Sequence, residues 1–136
     1  MLVVDASAIT ELLLGRAAGR AVEERLRDHD FDLHAPHLLD VEVLSALRRV
    51  VAAGDASPDR AGDAVTDLLD LPLERYPHDG LAPRIWTLRA NFSAYDAAYV
   101  ALAEVITDGG APLLTADERL ARAAGDHTEL RVLLAE

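Results

Sequence analysis

The sequence predicts an α/β fold, a central, mostly parallel five-stranded sheet with helices on both faces. Three observations predict it. Short β-favouring runs alternate with longer segments of helical periodicity along the whole chain, the pattern of strand–helix–strand units. The first run, Leu2-Val3-Val4, is apolar without alternation, as suits a strand covered on both faces. No repeat, linker or low-complexity tract divides the 136 residues, so residues 1–136 read as one domain with a sizeable core.

Each element has its own signal. The first strand runs into Asp5, and Ser7 is available to cap a helix over 7–14. A second helix covers 16–29, with Val22 and Leu26 inward and Glu23, Glu24, Arg25 and Arg27 outward. Residues 31–35 form a short second strand, stopped by Pro36. From His37 to Ala53, Leu39, Val43, Leu47 and Val50 mark one apolar stripe, widened by Leu44 and Val51, and Gly54 supplies the stop. Ser57-Pro58 opens a fourth helix by the cap-then-proline rule. Residues 71–76 form a third strand whose Pro72 suits a strand start or a sheet edge. A helix follows over 80–89 and another over 93–106, the latter with Tyr95, Tyr99, Leu102 and Ile106 in register and ended by Gly109-Gly110. A strand over 112–115, a helix over 117–124 and a strand over 130–134 complete the chain.

Composition removes several classes of function. An apolar content of 51% argues against disorder, and no apolar run reaches the roughly 18 residues of a membrane span. The chain enters a strand at once, leaving no room for a signal peptide. It also lacks cysteine, so disulfides and thiolate zinc sites are excluded and a cytoplasmic setting is expected. The net charge of −11 disfavours a polyanionic partner over most of the surface, although an acidic cleft can hold phosphate through a divalent metal. All 13 basic residues are Arg, which removes any mechanism requiring a catalytic lysine.

The acids carry the chemistry. Parallel strands place the starts of their following helices at one edge, where α/β sheets bind ligands. Asp5 ends the first strand there. Glu42 falls in the second turn of the helix after the second strand, Asp96 in the first turn of the helix over 93–106, and Asp117 just past the fourth strand. With right-handed crossovers, a central first strand can bring these four around one point. Each also has a structural reading. Asp5 suits a turn or cap, Ser93 and Asp96 suit a capping box, and Thr115 with Glu118 suits another, leaving Asp117 to complement the helix dipole. Glu42 fits a polar stripe with Ser45 and Arg49, yet it lies between Val41 and Val43 and is expected to be partly buried. Clustered, partly buried carboxylates require protons or a cation. Oxygen donors of this kind suit Mg²⁺ or Mn²⁺, and metal-assisted attack of water on a phosphodiester is the chemistry such a site favours. His34 and His37 read as loop residues, because Pro36 separates them and no third ligand is near. Tyr95, Tyr99 and Trp86, at helical spacings, read as core.

Leu2-Val3-Val4-Asp5-Ala6-Ser7, Pro36-His37-Leu38-Leu39-Asp40-Val41-Glu42, Tyr95-Asp96 through Glu104, and Leu114-Thr115-Ala116-Asp117 together resemble a PIN-domain ribonuclease of the VapC toxin type. The similarity spans nearly the whole chain in order. It implies a single PIN-like domain with Asp5, Glu42, Asp96 and Asp117 as a catalytic and metal-binding quartet around Mg²⁺ or Mn²⁺, Asp5 and Asp96 being the best-marked positions. Thr115, with Ser7 and Asn91, matches polar residues beside the metal. The resemblance further implies an RNA substrate (tRNA or rRNA among the candidates), a VapB-type antitoxin partner and a homodimer. Arg48, Arg49, Arg84 and Arg89 are candidates for contacting RNA.

Two rivals stand beside this reading. A phosphoacceptor signalling domain also gathers acids and Mg²⁺ at a parallel sheet's rim, but it needs a lysine that this chain lacks. A PIN fold kept as a non-catalytic interaction module has no need of a mutually repelling quartet.

Overall fold

The computed structural model describes residues 1–136. Its elements run β1 (Leu2–Val4), α1 (Ala6–Leu13), α2 (Ala17–Asp28), β2 (Leu33–Pro36), α3 (Leu38–Ala52), α4 (Pro58–Asp70), β3 (Leu73–Tyr76), α5 (Ala82–Thr87) with a 3-10 turn over Leu88–Ala90, α6 (Ala94–Val105), β4 (Leu113–Thr115), α7 (Glu118–His127) and β5 (Val132–Leu134). The five strands form one sheet in the order β3-β2-β1-β4-β5. Every neighbouring pair is parallel, so the sheet is wholly and not mostly parallel.

β1 is the axis of the molecule. Leu2, Val3 and Val4 are fully buried, as an unalternating apolar run requires of a central strand. α6 is the most deeply packed helix: every residue from Ala97 to Ala103 is buried, and it packs against β1, β2, β4 and α5. Four alanines in that run let the backbone come close to the sheet. α1 and α2 approach so tightly that a Cβ on Gly19 would stand 2.5 Å from the Glu11 carbonyl oxygen.

Several boundaries differ from expectation for local reasons. β2 begins at Leu33 because Asp30 and Phe31 both take positive φ, 55° and 54°, which turns the chain before the strand. β3 begins after Pro72 and is an edge strand, the place where a missing N–H is tolerated. Ser57 caps α4 by accepting from the Arg60 amide, with Pro58 in the first turn.

Four side-chain assignments change. His34 is not a loop residue: it lies buried in β2, its ring nitrogens 2.6 Å from Tyr76 Oη and 2.6 Å from Asp32 Oδ1. Only Tyr99 of the three aromatic residues is core, whereas Tyr95 and Trp86 are exposed. Leu44 is also exposed, so the α3 stripe narrows to Leu39, Val43 and Leu47.

Candidate active site

Asp5 follows β1 directly and is itself the N-cap of α1, in place of the expected Ser7. Its Oδ1 accepts from the Ala8 amide at 2.9 Å and the Ser7 hydroxyl at 2.7 Å, and its Oδ2 accepts from the Thr115 hydroxyl at 2.5 Å. The two hydroxyls accept in turn from the β4–α7 connection: the Ala116 amide donates to Ser7 Oγ and the Asp117 amide to Thr115 Oγ1. Each hydroxyl oxygen is thereby occupied as an acceptor, and its proton is directed at Asp5. The network locks the carboxylate in one orientation and ties the end of β1 to the end of β4.

Burial dominates the electrostatics of Asp5. Removal from water lifts its carboxyl to a pKa of about 6, against the pull of three hydrogen-bond donors, and the charge of Asp117 adds to the rise.

Glu42, on the second turn of α3, is half-buried, and its Oε1 accepts from the Tyr99 hydroxyl at 2.5 Å. Burial raises its pKa, with Asp96 pushing the same way and the Tyr99 bond and Arg49 opposing. Tyr99 stands one turn beyond Asp96 on α6, so the two share a helix face. Burial and the nearby Glu42 push the phenol's pKa upward, which keeps it a hydrogen-bond donor.

Asp96 makes only half of the expected capping box. Its amide donates to Ser93 Oγ, while its carboxylate turns across the cleft to Arg119. The second expected box, Thr115 with Glu118, is replaced by Asp117, whose Oδ1 caps α7 by accepting from the Arg119 and Leu120 amides. Arg119 Nη2 then bridges Asp96 Oδ2 at 2.9 Å and Asp117 Oδ2 at 3.2 Å.

Asp5, Glu42, Asp96 and Asp117 thus line one cleft of about 350 Å³ at the carboxyl edge of the sheet, with Ser7, Arg49, Tyr99 and Arg119 among its other walls. Thr115 lies directly beneath, fully buried. Asn91 is not brought there: it is exposed at the end of the 3-10 turn and is not among the residues that line the cleft. Of the arginines considered for RNA, Arg49 alone lines the cleft. Arg84 pairs with Glu104, Arg89 stacks on Trp86, and Arg48 is exposed outside it.

The donor set fits a hard divalent cation in chemistry, being all carboxylate oxygen. Two of the four acids hold raised proton affinities, chiefly because burial removes them from water, with a neighbouring acid adding to each rise. As they are arranged, no three acidic or imidazole side chains stand close enough to hold a metal ion, and the Arg119 guanidinium supplies the counter-charge between two of them.

The PIN domain family model matches residues 2–126, from β1 into α7 and across all four acids. The chain is 41% identical over 133 residues to Ribonuclease VapC12 of Mycobacterium tuberculosis, covering 98% of this chain and 99% of that protein. It is 42% identical to Ribonuclease VapC1 of the same organism, at 96% of each chain, and 44% identical to VapC ribonuclease Mb0985 of Mycobacterium bovis, at 88% of each. The chain belongs to the PIN-domain family, among the VapC ribonucleases. Its fold matches that of PAE2754 from Pyrobaculum aerophilum with a TM-score of 0.69 at 23% identity, over 96% of this chain and 81% of that one. No helix of this VapC-family protein is long and apolar enough to cross a membrane.

Sequence reasoning missed Arg119 at this VapC cleft. A signal was present: a cation in the first turn of a helix opposes the helix dipole, and a residue placed there against preference has a partner elsewhere. It also missed Tyr99 as the donor to Glu42, although its spacing of three from Asp96 puts it on the cleft face.

Proposed function

We propose that this VapC-family chain is a toxin endoribonuclease that uses Mg²⁺ or Mn²⁺ to hydrolyse phosphodiester bonds of RNA, tRNA and rRNA being the first substrates to try. The observation that carries the reading is the convergence of Asp5, Glu42, Asp96 and Asp117, from four distant segments, on one cleft in a chain of this family. Asp5 and Asp117 also cap helices, but capping accounts for neither Glu42 nor the gathering of all four acids in one cleft.

Asp5 and Asp96 are assigned as the principal cation ligands, with Glu42 and Asp117 beside them. The bound cation supplies charge stabilisation at the scissile phosphate and acidifies a water. Ser7 and Thr115 hold the Asp5 carboxylate in a fixed orientation, which would pre-orient it as a ligand. Glu42 keeps Oε1 on the Tyr99 hydroxyl, which leaves Oε2 to accept a proton from the attacking water. Burial, which raises its pKa, makes it a stronger base than an exposed carboxylate. Arg49, at the rim, is the candidate for steadying the RNA backbone.

The expected partners are a VapB-type antitoxin, which silences the cleft, and a second copy of the chain. Val41 and Leu44 of α3, Trp86 of α5 and Tyr95 of α6 are exposed large side chains on the helices after residue 37, and they support a homodimer. The cytoplasm is the expected setting for a nuclease acting on cellular RNA. The test is cleavage of total cellular RNA with Mg²⁺, Mn²⁺ or EDTA. The reading expects cleavage with either metal and none with EDTA; equal cleavage in EDTA overturns the metal dependence.

A further inference from the structure

Arg119 stands on the second residue of α7, and a single nitrogen of its guanidinium contacts carboxylates from two elements, Asp96 of α6 and Asp117 at the α7 cap. The side chain is 69% exposed, so the arm reaches over the cleft mouth and is not packed into it. A change of rotamer would withdraw it without moving the helix. The bond it makes is the only ion pair of either carboxylate. Asp5 and Glu42 face the same space and are satisfied by neutral donors alone. Arginine cannot relieve crowding by losing its proton, because it stays charged at any accessible pH. A divalent cation and this guanidinium therefore compete for the same Oδ2 atoms, and occupancy by one repels the other.

We propose that Arg119 is a built-in counter-ion of the metal-free cleft: it holds Asp96 and Asp117 together until a divalent cation arrives and then gives them up, so that the bridge and the metal are mutually exclusive. The proposal rests on reading the cleft as a cation site. Arg119 is thus a positioning residue, which keeps two carboxylates in place in the absence of metal and lowers the affinity of the site for the metal.

Exclusion has a thermodynamic signature. What the bridge contributes to the metal-free fold must reappear, with opposite sign, in the affinity for metal. Mn²⁺ binding is measured by titration calorimetry without RNA, and melting temperature in EDTA and in saturating Mg²⁺, for the wild type, Arg119→Gln and Arg122→Gln. Arg122→Gln removes an exposed charge from the same helix away from the bridge. Arg119→Gln is expected to bind Mn²⁺ about 3- to 10-fold tighter than wild type, the range that breaking an exposed, doubly bonded ion pair would return. Its melting temperature should fall below wild type in EDTA and match it in saturating Mg²⁺, while Arg122→Gln changes affinity less than about 2-fold. An Arg119→Gln affinity equal to or weaker than wild type overturns the proposal. So does a melting deficit that persists in saturating Mg²⁺, which would mean the arm stays on the carboxylates, or an equal gain from Arg122→Gln, which would mean general electrostatics. Absence of Mn²⁺ binding in all three proteins overturns the cation-site reading itself, and the proposal with it.

Discussion

Replacing Asp5 by Asn separates electrostatic strain at the cleft from its chemistry. Burial raises the Asp5 pKa from an ordinary 3.8 to about 6, which corresponds to about 3 kcal/mol against the ionised form. Because the folded value lies above the unfolded one, protonation favours the fold. The contribution is complete below about 3.8 and is lost as pH rises through about 6. Asn is neutral throughout and escapes the loss. Its carbonyl can accept from Ser7 and Ala8 as Oδ1 does now, and its amide would face Thr115, whose proton must turn toward Ser7 Oγ, 3.2 Å away. Allowing about 1 kcal/mol for that adjustment, Asp5→Asn should be about 2 kcal/mol more stable than wild type at pH 7.5 in EDTA. Urea unfolding from pH 4 to pH 8 measures it, and the two curves should converge toward pH 4. With Mg²⁺ the wild type should recover and the variant should not. A variant less stable than wild type at pH 7.5, or a difference that does not change with pH, would refute the reasoning.

Three further predictions concern the surroundings of the quartet. Thr115→Val keeps the buried shape but removes the donor to Asp5 and the acceptor of the Asp117 amide, so urea unfolding should report a loss of about 2–4 kcal/mol; Thr115→Ser should lose only about 1 kcal/mol, one buried methyl. Tyr99→Phe removes a bond that lowers the Glu42 pKa, so the acid limb of the pH–rate profile should move to higher pH, and an unmoved limb would remove Glu42 from proton transfer. Val41→Glu together with Leu44→Glu places charges on exposed apolar positions of α3 and should give a monomer by light scattering, with the melting temperature little changed; an intact dimer would place the interface elsewhere.

What the sequence discloses here follows from direction and period. The unalternating Leu2-Val3-Val4 run marks a covered central strand, and parallel strands force the helix starts to one edge. The shared edge for Asp5, Glu42, Asp96 and Asp117 is therefore legible without coordinates. The identity of the capping residues is not, because it depends on which oxygen reaches which amide once the strands are paired. Local sequence favours Ser7 as the cap of α1, yet its hydroxyl is held between Asp5 and the Ala116 amide, more than a hundred residues away, and Asp5 caps instead. Thr115 is drawn toward Asp5 in the same way, leaving the α7 cap to Asp117. His34 takes its character from Tyr76 on the neighbouring strand, a partner set by β2–β3 register and invisible in a local window. Asn91, which the family resemblance places beside the metal, lies exposed at the end of the 3-10 turn and outside the cleft lining.

The central claim, that these acids form one metal-dependent nuclease site, is tested most directly by Asp96→Asn. The substitution preserves shape and leaves the amide's bond to Ser93 in place while removing one charged oxygen ligand. Cleavage of total cellular RNA with Mg²⁺ or Mn²⁺ should fall at least ~100-fold, the loss expected when charge stabilisation worth several kcal/mol is removed. Exposed Glu24→Gln should cleave as wild type does. An Asp96→Asn protein that cleaves RNA at the wild-type rate, with the same dependence on metal, would return Asp96 to a purely structural place at the start of α6 and contradict the shared site.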